Sequence, residues 1–218
     1  MIHKLPLLIV LTLLSAAFAS IAHADSRAGE NASWNFDVYL NDKKVGKHQF
    51  KVVEADGTRH VRSEANFTYR ILLIPAYRYE HSAAERWADD CLVEFDASTN
   101  ANGERIKVSG ERSGAGFVVE TDGTPVQLPE CVMTFAYWNP EFLEQSSLLN
   151  PQTGEYVDVE VERLGDETLE FRGQPVEATR FTLKAYEVDL TLWYSSDDEW
   201  LGLESVAKGG HIIRYERS

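Results

Sequence analysis

The chain has 218 residues, 44% of them hydrophobic and 26% charged, and its 35 acidic against 21 basic residues give a formal charge of −14. A field of that sign repels phosphate backbones and anionic headgroups, so nucleic acid and membrane-surface partners are not expected. The length supplies one sizeable core and is short for two ordinary domains.

Residues 1–24 read MIHKLPLLIVLTLLSAAFASIAHA, with a basic start at Lys4, an apolar run from Leu5 to Leu14 and a small-residue exit at Ala22-His23-Ala24. This is the pattern of a cleaved secretory signal peptide. The apolar run falls short of the ~20 residues that span a bilayer, and the polar DSRAGEN follows at once, so no stable membrane insertion is expected. The expected mature chain, residues 25–218, forms one domain and works in the periplasm. Losing the leader removes Lys4 alone among charged residues and takes the charge from −14 to −15. Asn31-Ala32-Ser33 matches the glycosylation triplet, which stays idle behind a bacterial-style leader.

From Ser33 the dominant signal has period two. Trp34, Phe36, Val38 and Leu40 alternate with Asn35, Asp37 and Tyr39, and the NDKK sequence at 41–44 turns the chain into VGKHQFKVVE. A second turn, ADGT, leads to RHVRSEANFTYR, whose Val61, Ala65, Phe67 and Tyr69 lie on or near one face. Similar runs follow at 76–88, 91–98, 104–112, 116–121, 156–164, 168–173, 176–185, 188–196, 201–208 and 211–217, separated by turn sequences such as NANG, SGAG, TDGTP, RGQP and SDDE. About a dozen short strands with no crossover helices predict an all-β antiparallel meander, curled into an open or closed barrel or a sandwich.

Two stretches break the alternation. In RILLIPAYRY (70–79) four apolar residues, Ile71 to Ile74, run consecutively to Pro75, which fits either a strand buried on both faces or an apolar loop over an opening. The other is CVMTFAYWNPEFLEQSSLLNPQTG, 131–154, where Asn139 caps and Pro140 begins a short helical insert near 140–149. Its Phe142, Leu143 and Leu149 are expected to point inward.

Chemistry-bearing residues are sparse. Cys91 and Cys131 are the two cysteines, and in an oxidising compartment they predict a disulfide. Four histidines remain after the leader, at 48, 60, 81 and 211, with no metal-ligand spacing, so neither a metal nor a cofactor is expected. His81 and Glu85 stand four apart, on one face of a strand, and form a candidate acid–base pair. No G-x-S-x-G or S-x-x-K string occurs, the GERSGAG segment lacks what a phosphate loop requires, and Asp197-Asp198-Glu199 has no calcium-loop spacing. Aromatics carry more. Tyr69, Tyr77, Tyr79 and Trp87 crowd the apolar run, and Phe135, Tyr137, Trp138 and Phe142 fill the insert. They build either ordinary core or the wall of an apolar pocket, which Arg70 and Arg78 flank as anchors for a carboxylate or phosphate headgroup.

The pieces CVMTFAYWNPEFLEQSSLLNPQTGEYVDV, RGQPVEATRF, LWYSSDDEWLGLES and GGHIIRYE, with WNFDVYLNDKKVGKHQF, resemble a family of secreted proteobacterial proteins built on a domain of unknown function. The likeness spans essentially the whole mature chain. The last third is more loosely similar to other periplasmic β-proteins in which a G-x-P-hydrophobic strand precedes a tryptophan-bearing strand and a final hairpin. The resemblance implies a periplasmic barrel-like fold and brings no catalytic residue with it.

Three functional readings follow. The first is a non-enzymatic periplasmic carrier of a small hydrophobic or lipid-like ligand, bound by Tyr69, Tyr77, Tyr79, Trp87, Phe135, Trp138, Phe142, Arg70 and Arg78 under a cover formed by 70–76 and 133–149. The second is an enzyme using His81 and Glu85. The third is an interaction module that docks a protein partner through 133–149.

Overall fold

Four hairpins turn on Asp56-Gly57, Asn102-Gly103, Asp122-Gly123 and Arg172-Gly173, and in each pair both residues have positive φ. Two-residue turns of this hand match the right-handed twist of the flanking strands, so the sequence is driven into successive antiparallel hairpins. The computed structural model describes residues 32–71, 74–114, 116–186, 188–207 and 210–218, with the side chains of 71–75 and 207 outside the description. The leader, the Asn31 glycosylation triplet and most of the Ile71–Pro75 run therefore lie outside the described residues.

Among the described residues fourteen strands form one sheet. They are β1 (Ala32–Leu40), β2 (Lys43–Ala55), β3 (Thr58–Ile71), β4 (Ile74–Ala88), β5 (Cys91–Ala101), β6 (Glu104–Ser113), β7 (Gly116–Thr121), β8 (Thr124–Leu128), β9 (Ser147–Leu149), β10 (Tyr156–Phe171), β11 (Gln174–Ala185), β12 (Val188–Ser195), β13 (Trp200–Ala207) and β14 (His211–Arg217). Their spatial order is β8-β7-β6-β5-β4-β3-β2-β1-β14-β13-β12-β11-β10-β9. Every ladder is antiparallel, and pairing of β1 with β14 places the two ends of the described chain side by side in mid-sheet. The barrel is open, because its edge strands β8 and β9 do not pair with each other. Residues 156–164 and 168–173, read as separate runs, lie in the single strand β10 and its turn, because a bulge between Arg163 and Gly165 absorbs the break in alternation.

The expected helical insert is shorter than 140–149. A single 3-10 turn spans Pro140–Glu144, capped by the Asn139 side chain, which accepts from the Glu141 amide at 3.2 Å. The chain is extended again at Gln145, and Leu149 belongs to β9 rather than to a helix.

The insert lies inside the curl. Cys131 is bonded to Cys91, with Cα atoms 4.9 Å apart. The Leu92 amide donates to the Val132 carbonyl at 2.9 Å, and the Leu149 amide donates to the Met133 carbonyl at 2.8 Å. Residues 132–134 thus join the start of β5 to the edge strand β9 across the gap that a closed ladder would fill. Tyr137 stands 5.2 Å from Trp200 of β13 and 5.6 Å from Phe142, while Trp138 stands 5.5 Å from Trp87 of β4, all measured between ring centroids. The Tyr194 hydroxyl donates to the Tyr137 carbonyl at 2.7 Å, which satisfies a polar atom the core would otherwise strand. Met133, Trp138 and Phe142 are 3%, 8% and 0% exposed. Burial of each stabilises the fold by roughly 1.5–3 kcal/mol.

The disulfide closes a loop of 40 residues. Replacing Cys91 and Cys131 together with serine is expected to keep the β-rich circular dichroism spectrum while lowering the melting temperature by on the order of 10 °C, the equivalent of about 3–4 kcal/mol of lost chain constraint. A thermal melt of the double variant that matches the oxidised parent would show that the other anchors suffice.

Candidate functional site

Alternation along three neighbouring strands turns one row of side chains inward. On β2 the row is His48, Phe50 and Val52, on β3 it is Val61, Ser63, Ala65 and Phe67, and on β4 it is Tyr77, Tyr79, His81, Ala83, Glu85 and Trp87. Most of these side chains form one wall of an interior cavity of about 310 Å³. Insert residues Thr134 to Trp138 form its roof, the loop at Asn150 to Gln152 crosses it, and residues of β12, β13 and β14 complete the opposite wall. Tyr77 lines the cavity and is also 44% exposed, so it marks where the cavity meets solvent.

The loop after β9 is seated by specific contacts. The Tyr79 hydroxyl donates to the Gln152 side-chain carbonyl at 2.6 Å, the Thr99 hydroxyl to the Gln152 backbone carbonyl at 3.4 Å, and the Thr121 hydroxyl to the Thr153 carbonyl at 3.3 Å. At Gly154, whose φ is +78°, an added Cβ would sit 1.9 Å from the Thr121 hydroxyl, so only glycine lets the loop lie this close to β7.

Several polar groups in the cavity are paired. His48 Nε2 lies 2.7 Å from the Ser63 hydroxyl and its Nδ1 lies 3.1 Å from the Tyr215 hydroxyl, which links β2, β3 and β14. His81 Nδ1 lies 2.9 Å from the Thr99 hydroxyl. Glu85 accepts from the Trp87 indole N–H at 2.9 Å and from the Thr134 hydroxyl at 3.3 Å, so it ties β4 to the roof. Burial makes charge expensive here. It lowers His48 to about 3, helped by neighbouring His81, and lowers His81 to about 4. Both rings are neutral at neutral pH. Burial raises the Glu85 carboxyl to about 7, against the pull of its two hydrogen bonds. Tyr79, Tyr137 and Tyr215 are pushed above their ordinary range by the same desolvation.

Ser63 and His48 have the spacing of a nucleophile and its base, but so weak a base takes a hydroxyl proton poorly at neutral pH. Their bond serves to satisfy two polar groups on an apolar wall and to hold adjacent strands in register. His81 and Glu85 share the wall, as their spacing implies, yet each hydrogen-bonds to other partners. Among the described residues no group of three or more His, Cys, Asp or Glu side chains is placed to hold a metal ion.

Of the aromatic and basic residues singled out in the sequence, Tyr77, Tyr79, Phe135, Tyr137 and Trp138 line the cavity. Trp87 and Phe142 are fully buried in the core beside it, Trp87 acting through its bond to Glu85. Tyr69 is half-buried with the Lys43 ammonium 5.2 Å from its ring centre, and Arg70 and Arg78 are exposed. Arg78 falls on the opposite face of β4 from Tyr77 and Tyr79, because neighbours along a strand alternate. The reading of the sequence missed His48, Ser63, Thr134, Gln152 and Tyr215. The signal for the first two was present: a polar residue within the apolar row of an alternating strand, His48 beside Phe50 and Ser63 between Val61 and Ala65. Gln152 carries no such signal, since nothing local says that its loop folds over the mouth.

The family model of a domain of unknown function, DUF6134, matches residues 36–218. No curated protein matches the chain. Among solved structures, a beta-barrel-like protein of domain of unknown function DUF1849 from Brucella abortus superposes with a TM-score of 0.64 at 8% identity, covering 88% of this chain and 97% of that one. At that identity the match speaks to the fold alone.

The Glu85 carboxyl offers a direct check of the buried wall. Its folded-state value of about 7 lies above the unfolded value near 4.5, so its contribution to stability is full below about pH 4.5 and is lost as pH rises through 7. Glu85→Gln removes that loss. The melting temperature of the variant is expected to match the parent near pH 5 and to exceed it near pH 8, by the equivalent of on the order of 2 kcal/mol. His48 and His81 titrate oppositely, losing stability as pH falls below about 6.5, and they cancel in the comparison because both proteins carry them. A pH-independent difference would place Glu85 in contact with water.

Proposed function

We propose that this chain, which belongs to the DUF6134 family, is an exported binding or carrier protein that holds one small, mostly apolar molecule in the cavity beneath Thr134 to Trp138. The observation that carries this reading is the cavity itself, an interior space of about 310 Å³ walled mainly by aromatic and aliphatic side chains with a few converging polar groups. That is the ordinary make-up of a small-molecule site, at the lower end of the usual range of about 300–1,000 Å³. A single ring or one short chain fits, and a two-chain lipid does not. Tyr77, Tyr79, Phe135 and Trp138 are the binding residues of this reading, joined by Phe67 and Tyr215. Arg70 and Arg78 have no part in it.

Export to the periplasm rests on the leader at residues 1–24, which precedes the described residues, and agrees with a disulfide that needs an oxidising compartment. Among the described residues no helix is long and apolar enough to cross a membrane. The acid–base reading of His81 and Glu85 is the weaker one, since the two do not hydrogen-bond and the imidazole is held near 4. Docking of a protein through 133–149 is also disfavoured, because Met133, Trp138 and Phe142 have almost no surface to offer.

The test uses N-phenyl-1-naphthylamine, a neutral apolar fluorophore. Saturable one-site binding is expected, with quenching of tryptophan emission that Trp138→Phe largely removes, since Trp138 alone of the five tryptophans lines the cavity. Ala83→Leu, which adds bulk to the wall, is expected to weaken the probe about tenfold or more while the protein stays folded. Absence of saturable binding, together with native mass spectra of the exported protein that show no co-purified molecule, would remove the carrier reading.

A further inference from the structure

The charge on the cavity wall is one-sided. Among the described residues no lysine or arginine lines it, both histidines on it are neutral, and Glu85 is the one carboxylate. Arg59 stacks over the Trp138 ring at 5.2 Å but is not part of the lining and is engaged by Asp90 at 2.7 Å. Each carboxylate oxygen of Glu85 accepts one hydrogen bond, from Trp87 or Thr134, which leaves lone pairs free for a further partner. Beside it are Trp138, whose ring stands 5.5 Å from that of Trp87, and Phe135, the neighbour of Thr134, whereas Phe67, Tyr77 and Tyr79 line the cavity farther along the strands. Aromatic faces carry negative potential and attract cations, most strongly where water is excluded.

Three ligand classes meet this wall differently. An anion approaches a chain of formal charge −14 and finds no cation to receive it. A neutral molecule leaves Glu85 without a counter-ion wherever it is ionised, above about pH 7. A cation with an apolar body gives the carboxylate its missing partner and sets the positive charge against ring faces. Resting on the carrier reading above, we propose that the cavity selects small organic cations, aryl- or alkylammonium compounds, with Glu85 as counter-ion and the rings of Phe135 and Trp138 beside it. The protonation of Glu85 in the empty protein agrees, since a carboxyl that lacks a cation and titrates near 7 is the one that a bound cation would drive to ionise.

Three probes of nearly equal shape test this by calorimetry: benzyltrimethylammonium, its carbon isostere neopentylbenzene, and phenylmethanesulfonate. At pH 8.5 the cation is expected to bind about tenfold or more tighter than the isostere, and the sulfonate not at all. The preference should shrink to about threefold or less at pH 5.5 and in Glu85→Gln. At pH 7 cation binding should release protons, read as a dependence of the heat on the ionisation enthalpy of the buffer. Among the described residues the other titratable groups of the wall are His48, His81, Tyr77, Tyr79, Tyr137 and Tyr215. Burial holds the two histidines below this range and Tyr79, Tyr137 and Tyr215 above it, so the released proton reports Glu85. Proton release needs no variant and stands even if Glu85→Gln fails to fold. Equal binding of cation and isostere without proton release overturns the selectivity and leaves the carrier reading intact. Failure of all three probes and of the naphthylamine removes both.

Discussion

A curled sheet of fourteen strands encloses more space than its own inward side chains fill. About eight strands close a barrel whose interior is packed by its own residues, and wider curls need a filler or hold water. Here residues 131–149 are the filler. They cross the open side of the barrel, and their main chain is held at the start of β5 by the disulfide and the Leu92 amide, and at the edge strand β9 by the Leu149 amide. Almost everything distinctive in this fold depends on that crossing. It covers apolar residues that an open barrel would expose, brings Trp138 onto Trp87 and Tyr137 onto Trp200, and, where it stops short of the wall formed by β2, β3 and β4, leaves a cavity.

The same crossing sets the electrostatics. Roof and wall exclude bulk water from a short list of polar groups, and each responds in the direction that burial dictates, imidazoles down and carboxyl up. Thr134 of the roof donates to Glu85 of the wall, so this carboxylate also fastens the filler to the sheet. The histidines of the cavity are weakly basic at neutral pH, and the hydroxyls of Ser63, Tyr79, Thr134 and Tyr215 each have a partner.

The meander was legible because its signals are local. Alternation in Trp34 to Leu40 and turn pairs such as Asp56-Gly57 and Asn102-Gly103 predict strands and hairpins without knowledge of the rest of the chain. The aromatic insert was legible as a feature that needed an interior to hide in, and Asn139-Pro140 did mark a helical start. Its length was overestimated, because capping signals locate a beginning whereas the return of Leu148 and Leu149 to β9 is decided by packing. The site was only half readable. Tyr77, Tyr79, Phe135 and Trp138 follow from composition and position, but Tyr215 meets His48 through a pairing of β1 with β14 that joins residues 167 apart, and no pattern within either strand announces it. Arg78 was attractive by proximity in sequence to the aromatics and is placed on the outer face by parity alone.

The central claim is that the segment after Cys131 is a permanent part of the core and the roof of the cavity, not a mobile surface loop. Native-state hydrogen exchange tests it most directly, through the amides of Leu92 and Leu149, which donate to the insert, and of Asn139, which donates to the Ala136 carbonyl within it. The account predicts that these amides exchange as slowly as those in the middle of β2, β3 and β4. Exchange as fast as in the exposed edge strand β8, under conditions where the central strands remain protected, would contradict it.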